Sequence, residues 1–411
     1  MIGQLLFKQE ILKAAITITG SKSESNRLLI LRALYPNLKI DNLSNSDDTK
    51  VLNNALVSSD SLIDVHHAGT AMRFLTAYLA ITTIKSVTLT GSKRMQERPI
   101  KILVDALNSI GASITYQTKE GYPPLLINPP VQLESNVTLD AGVSSQYISA
   151  LILVAPLLDN GLNITLDGTI TSRPYIEMTL QLLKQVGVQA NFKNQELTIA
   201  ATTSIKNHTT VVESDWSSAS YYYSIVALSQ AMTIKLSSYK ENSLQGDSAL
   251  VAIYSKLGVV TTFNNDNSVT LSKHSKSVPQ HIELDLSKTP DIAQTIAVTC
   301  FGLGISCHLT GLHTLKIKET DRLEALKIEL SRFDAPITIT ENSLSLAKRE
   351  KDFDNTRSIT IKTYQDHRMA MAFAPLAFLA NIAIENPMVV TKSYPDFYKD
   401  LEKVGLFLEL N

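Results

Sequence analysis

The chain has 411 residues, 44% of them hydrophobic, with 38 basic against 39 acidic side chains and a formal net charge of -1. That length supports a large core and more than one domain, and the even charge balance provides no global field toward nucleic acid or a membrane surface. The first residues lack the apolar run of a secretion signal and no stretch approaches a membrane span, so a cytoplasmic protein is expected.

The first polar cluster is Gly20-Ser21-Lys22-Ser23-Glu24-Ser25-Asn26-Arg27, which opens a helix whose apolar positions begin at Leu28. Hydroxyls, free amides and two cations at a helix start suit carboxylate or phosphate oxygens. The GxxxxGK[ST] spacing is missing, as is GxGxxG, which disfavours ATP and NAD. The pair His66-His67 has no further ligand at close spacing and reads as a loop or helix start. Ala68-Gly69-Thr70-Ala71-Met72-Arg73 then begins an apolar helix, and a strand follows at 87–89. Four charges in 93–98 precede Pro99, which can initiate a helix at Ile100.

From here one pattern recurs: amphipathic helix, break, short strand. Helix 100–110 stops at Gly111 before strand 112–116. Ser144-Ser145-Gln146 starts a helix ending near Leu158, strand 163–166 follows, and Thr171-Ser172-Arg173-Pro174-Tyr175 starts another. That helix stops at Gly187 before strand 188–192. The midpoint lies near residue 213, where an extended pair meets a cap-rich helix start beside Trp216, with no flexible linker. Strand 231–236 leads to helix 248–257, which stops at Gly258 before strand 259–263, and another strand spans 268–271. Cys300 and Cys307 stand in an apolar segment at no metal-type spacing and read as buried thiols of a reducing compartment. Helix 322–333 stops at Asp334 before strand 335–339, and a weaker copy surrounds Gly405. The breaks recur every 71 to 76 residues. A left-handed helix end before each strand explains them, and the period fits a repeated βαβαββ module.

Two further clusters complete the series. Lys318-Glu319-Thr320-Asp321-Arg322 opens helix 322–333, with Thr320 as the expected cap and Asp321 in the first turn. By itself this run reads as an exposed charged face more readily than as an anion site. Asp366-His367-Arg368 precedes the apolar run 370–380, and Lys392 follows. If the repeats pack side by side, these helix starts converge and their dipoles and cations focus on one volume. That predicts anionic substrates bearing phosphate and carboxylates. HExxH, CxxC and GxSxG are absent, so the chemistry rests on Lys, Arg, Asp and Glu acting as acids, bases and charge neutralisers. Neighbouring cations favour the Glu319 carboxylate, so acid work there needs burial or a proton relay.

Taken in order, 20–27, 68–73, 94–99, 144–146, 247–249, 318–322 and 366–371 resemble the 5-enolpyruvylshikimate-3-phosphate synthase family over nearly the whole chain. The resemblance implies a two-domain inside-out α/β barrel of six βαβαββ repeats, three per domain. One domain would span 21–213, and 1–20 with 214–411 would form the other, with the active site in the cleft. It implies transfer of the enolpyruvyl group of phosphoenolpyruvate to the 5-hydroxyl of shikimate-3-phosphate, by addition and then elimination of phosphate. No cofactor, metal, nucleic acid or membrane partner is implied, and a monomer is expected.

The implied roles fall on individual residues. Ser144, Ser145 and Ser172 would hold the 3-phosphate, Ser23 and Arg27 the ring carboxylate, and Gln146 and Tyr175 would line the ring. Lys22, Gly69, Arg98, Gln146, Arg322, Arg368 and Lys392 would surround phosphoenolpyruvate, with Lys22 also touching the other substrate. Asp291, assisted by Lys318, would be the base near the 5-hydroxyl, and Glu319 would exchange the proton at the enol methylene. Two positions depart from the family: His67 and Thr314 stand where Asn is usual. The sister enolpyruvyl transfer to UDP-N-acetylglucosamine fits less well, because neither cysteine lies in a glycine-rich loop. A silent anion-binding scaffold would not need the acid–base residues.

Overall fold

The computed structural model describes residues 1–9, 11–140, 142, 144–168, 170, 173–274 and 278–410. The chain divides into two compact units, Gly20–Val212 and Met1–Thr19 with Glu213–Asn411.

In Gly20–Val212, Leu62–Asp64 pairs parallel with Val87–Thr90, which pairs antiparallel with Leu125–Asn128 and through it with Ser113–Tyr116. The sheet from Asn136–Asp140, Leu162–Asp167, Glu196–Ile199 and Ala190–Lys193 has the same order and directions. Each is a parallel pair joined by a crossover helix and extended by an antiparallel hairpin, the βαβαββ arrangement. The third sheet has only the parallel pair Leu38–Asp41 and His208–Val211. Helix Asp47–Val57 leads straight to Leu62–Asp64, and the residues between them leave no room for a hairpin.

The other unit carries three full copies, two completed by the chain's first residues. Lys13–Ile16 pairs parallel with Thr233–Leu236, and Val269–Lys273 and Val259–Phe263 follow. His281–Asp285, Ser306–Thr310, Leu344–Leu346 and Ile337–Ile339 form the next. In the last, Ile2–Phe7 lies between Asn381–Glu385 and Leu406–Leu410, with Ser358–Ile361 at the edge. Among the described residues, five copies are complete and the sixth is a shortened βαβα form. Every complete copy has a left-handed residue before its third strand: Gly111, Gly187, Gly258, Asp334 and Gly405, with φ of 98°, 96°, 85°, 58° and 89°.

The strands bury alternate residues, as in Leu162–Asp167, whereas the crossover helices are buried nearly all round. Helices Trp216–Leu228 and Ala293–Leu303 carry no charged side chain and are buried on nearly every side, so they are interior. In one unit Trp216–Leu228, Ala293–Leu303 and His367–Phe373 pack in sequence; in the other, Lys22–Leu34, Gly69–Thr82 and Ser145–Val154 pack together. Gly69–Thr82, Ser145–Val154, Ala293–Leu303 and His367–Phe373 each begin after the carboxyl end of the first strand of their parallel pair, where α/β folds place their ligands.

Candidate active site

In the unit containing Glu213–Asn411, the charged residues of the last two copies meet around one guanidinium. Helix Arg322–Ser331 is capped by Asp321, whose Oδ1 accepts from the amides of Leu323 and Glu324 at 3.1 Å each. This corrects the expectation that Thr320 caps it: the helix begins at Arg322, so the carboxylate of Asp321 is the residue adjacent to the free amides. Arg322 is 2% exposed and donates Nε to Asp366 Oδ2 at 2.7 Å, Nη1 to Asp291 Oδ1 at 3.0 Å and Nη2 to Glu319 Oε2 at 2.9 Å. Burial opposes its charge, but Asp366, Glu319 and Asp291 outweigh that and hold its pKa above the ordinary arginine value.

Asp291 is shared further. Lys318 Nζ lies 3.4 Å from its Oδ1 and Arg368 Nη2 3.3 Å from its Oδ2. Asp291, Glu319 and Lys318 are 15%, 22% and 28% exposed, whereas Asp366 is fully buried. The partly exposed carboxylates and ammonium therefore face outward from a buried ionic foundation. Asp366 also caps its own helix, accepting from Arg368 N at 2.8 Å, and Arg368 Nη2 reaches Ser217 Oγ at 3.3 Å. Ser217 and Thr289 both donate to Asp247. Burial, and next the negative charge of Asp291, raise the Asp247 pKa. Lys392 Nζ donates to the Gln365 carbonyl at 2.7 Å, and the Thr314 hydroxyl oxygen is buried without a hydrogen bond.

In Gly20–Val212, Ser21 precedes helix Lys22–Leu34 and Lys22 Nζ lies 3.5 Å from Asp48. Arg27 crosses between crossover helices: Nη2 donates to Ser149 Oγ at 3.0 Å and Nε to Thr179 Oγ1 at 2.7 Å. The carbonyls of Ser23 and Tyr175 accept at 2.8 and 3.4 Å. Burial lowers its pKa to about 10. Ser144 caps Ser145–Val154 by accepting from Gln146 N, and the Gln146 amide donates to Thr70 Oγ1 at 3.3 Å. Arg98 lies against the start of Gly69–Thr82 so closely that a Cβ on Gly69 would be 2.5 Å from its Nη1. His67 Nδ1 shares a hydrogen bond with Ser92 Oγ at 2.8 Å, and Arg73 binds the carbonyls of Gly69 and Pro99. Ser172 lies outside the described residues.

The structure thus brings together Asp291, Lys318, Glu319, Arg322 and Arg368 in one unit. In the other it brings Ser23 to Arg27 and Tyr175, and Arg98 to Gly69. Sequence reasoning left Ser217, Asp247 and Asp366 without site roles. Asp247 and Asp366 stood inside recognised motifs, but Ser217 had no signal beyond a capped helix start. No group of three or more metal-type side chains clusters as a metal site among the described residues.

Repeated α/β modules, with cations, hydroxyls and a buried-and-exposed carboxylate set at their helix starts, define an enzyme class that handles anionic substrates by acid–base chemistry. A family model described as EPSP synthase (3-phosphoshikimate 1-carboxyvinyltransferase) matches residues 52–401, and the chain belongs to that family. It is similar to the 3-phosphoshikimate 1-carboxyvinyltransferase of Bacteroides fragilis, 44% identical over 408 residues that cover 99% of this chain and 98% of that protein. It is 34% identical to the enzyme of that name from Haemophilus influenzae, over 96% of this chain and 97% of that one. A solved EPSP synthase from Acinetobacter baumannii has the same fold, with a TM-score of 0.80, 19% identity and coverage of 99% of both chains.

Proposed function

We propose that this chain moves the 1-carboxyvinyl group of phosphoenolpyruvate to the 5-hydroxyl of shikimate-3-phosphate and releases phosphate, a step of aromatic amino acid biosynthesis. The observation that carries the residue assignment is the sharing of Arg322 between Asp291 and Glu319, which fixes two carboxylates on one rigid fork beside Lys318 and Arg368. Asp291 takes the proton of the 5-hydroxyl, assisted by Lys318, as that oxygen attacks C2 of phosphoenolpyruvate. Glu319, entering this step in its protonated form, delivers that proton to C3, giving a tetrahedral ketal phosphate. The same carboxylate then takes a proton back from the new methyl group while the C2–O bond to phosphate breaks, leaving the enolpyruvyl ether, and the departing phosphate carries off the proton held by Asp291.

The anions need cations. Arg98, Arg368, Lys22 and Lys392, with Gly69 and Gln146, are assigned to phosphoenolpyruvate in this reading. Arg322 can give it only the N–H not already committed to carboxylates. Ser144, Ser145 and Ser172 hold the 3-phosphate, Ser23 and Arg27 the ring carboxylate, Tyr175 and Gln146 line the ring, and Thr314 offers its hydroxyl. Four of the five N–H groups of Arg27 already have protein acceptors, so Ser23 and one remaining N–H carry that contact.

Phosphate release with phosphoenolpyruvate and shikimate-3-phosphate together is the expected result. Release only with a UDP-sugar acceptor would move the chain to the sister reaction, and silence with both would leave a binding protein.

A further inference from the structure

The turn that delivers Asp366 and Arg368 is built from the wrong residues for its shape. The amide of Asp366 donates to the Thr363 carbonyl at 2.8 Å, closing a four-residue turn whose central pair, Tyr364 and Gln365, has φ of 53° and 58°. Positive φ at both centres is the mark of a type I′ turn, which favours Asn-Gly because most side chains clash there. A bulky aromatic residue in that region is an outlier, and it persists only when its surroundings hold it.

Two contacts from outside the turn hold it. Tyr364 donates its phenol to Glu329 Oε1 at 2.6 Å, and Lys392 Nζ donates to the Gln365 carbonyl at 2.7 Å. Glu329 is fully buried and also accepts from Lys362 N at 3.2 Å, just before the turn. Burial, with Glu329 alongside, keeps the phenol protonated and donating. Glu329 and Arg322 stand seven residues apart on helix Arg322–Ser331, two turns along the same face, about 10 Å from one another. One helix therefore grips the loop twice: Arg322 holds the Asp366 carboxylate and Glu329 the Tyr364 hydroxyl.

We propose that Tyr364 and Glu329 are a positioning pair for the substrate site, stabilising a left-handed turn that sets Asp366 against Arg322 and presents Arg368 and Lys392. Neither residue touches the reacting atoms. They act through the turn, and the inference rests on the roles given above to Arg368 and Lys392.

The test is Tyr364→Phe, which deletes one hydroxyl and keeps the ring, followed by Gln365→Gly in the same background. Losing a hydrogen bond to a buried carboxylate is expected to lower kcat about tenfold and to speed amide exchange at Asp366 and Arg368 by a similar factor. Glycine accepts positive φ without strain, so adding Gln365→Gly is expected to bring both readouts back to within about threefold of the parent. A merely structural contact predicts the reverse, since glycine adds freedom to the unfolded chain and lowers stability further. The proposal is overturned if Tyr364→Phe leaves exchange and kcat within about twofold of the parent, or if the glycine fails to restore them. Amide exchange needs no substrate, so its outcome is separate from the phosphate-release assay that tests the reaction itself.

Discussion

Arg322 and Asp366 meet as a buried fork, Nε to Oδ2 at 2.7 Å and Nη2 to Oδ1 at 3.4 Å, with side chains 2% and 0% exposed. The pair joins the first residue of one helix to the cap of another, 44 positions along the chain. Because Arg322 also carries Asp291 and Glu319, the fork transmits the placement of one copy's helix start to those two carboxylates.

Breaking one side of that fork strands a buried charge. Asp366→Asn is expected to cost about 3 kcal/mol or more in urea unfolding, and Arg322→Met a similar amount. The double variant is expected to cost clearly less than the two together. Strict additivity would mean the residues do not act as a pair.

Glu319→Gln keeps shape and hydrogen-bonding reach but removes the proton exchange proposed for this carboxylate. Turnover is expected to fall between about a hundredfold and ten-thousandfold, the usual range for a general acid–base residue. Calorimetric affinity for shikimate-3-phosphate is expected to stay close to the parent value. Turnover near the parent value would remove Glu319 from its role.

At Gly69 the prediction is steric. A methyl group there would sit 2.5 Å from Arg98 Nη1, the end of a flexible side chain that can yield. Gly69→Ala is therefore expected to fold but to displace the guanidinium, raising KM for phosphoenolpyruvate about tenfold with little change in KM for shikimate-3-phosphate. Equal rises in both constants would argue against a local displacement.

Glu213 gives a pH dependence. Its carboxylate accepts from Trp216 Nε1 at 2.7 Å, Lys240 N at 2.9 Å and Ser243 Oγ at 2.7 Å, yet burial outweighs these bonds and raises its pKa above 4.5. A carboxyl whose folded pKa is raised gives its full stabilisation below the unfolded value and loses it as pH climbs through the folded one. Compared with Glu213→Gln, whose amide can donate to a reoriented Ser243 hydroxyl, the parent is expected to lose stability as pH rises above about 4.5. Urea midpoints measured from acid to neutral pH will show the two curves diverging; parallel curves would exclude the linkage.

Much of the modular pattern is legible locally. A helix that must stop and reverse into a strand needs a left-handed residue, so Gly111, Gly187, Gly258 and Gly405 announce the hairpins, and Asp334 does so with a side chain that tolerates the conformation. The shortened copy gives no such signal, because helix Asp47–Val57 never turns into a hairpin. The cap of Arg322–Ser331 was misplaced by one residue, since Thr320 and Asp321 are both good caps and only the position of the first helical residue separates them.

The sequence alone determined which segments would form modules, because periodic burial and helix stops are properties of neighbouring residues. It also placed cations and hydroxyls at the helix starts. Tertiary packing decided which charges meet. A buried guanidinium must find counter-charges, and beside its neighbour Glu319, three residues earlier, Arg322 finds Asp291 and Asp366 from two other stretches of chain. The left-handed Tyr364-Gln365 turn belongs to the same category: no local preference asks for it, and it is held by Glu329 and Lys392 from elsewhere in the fold.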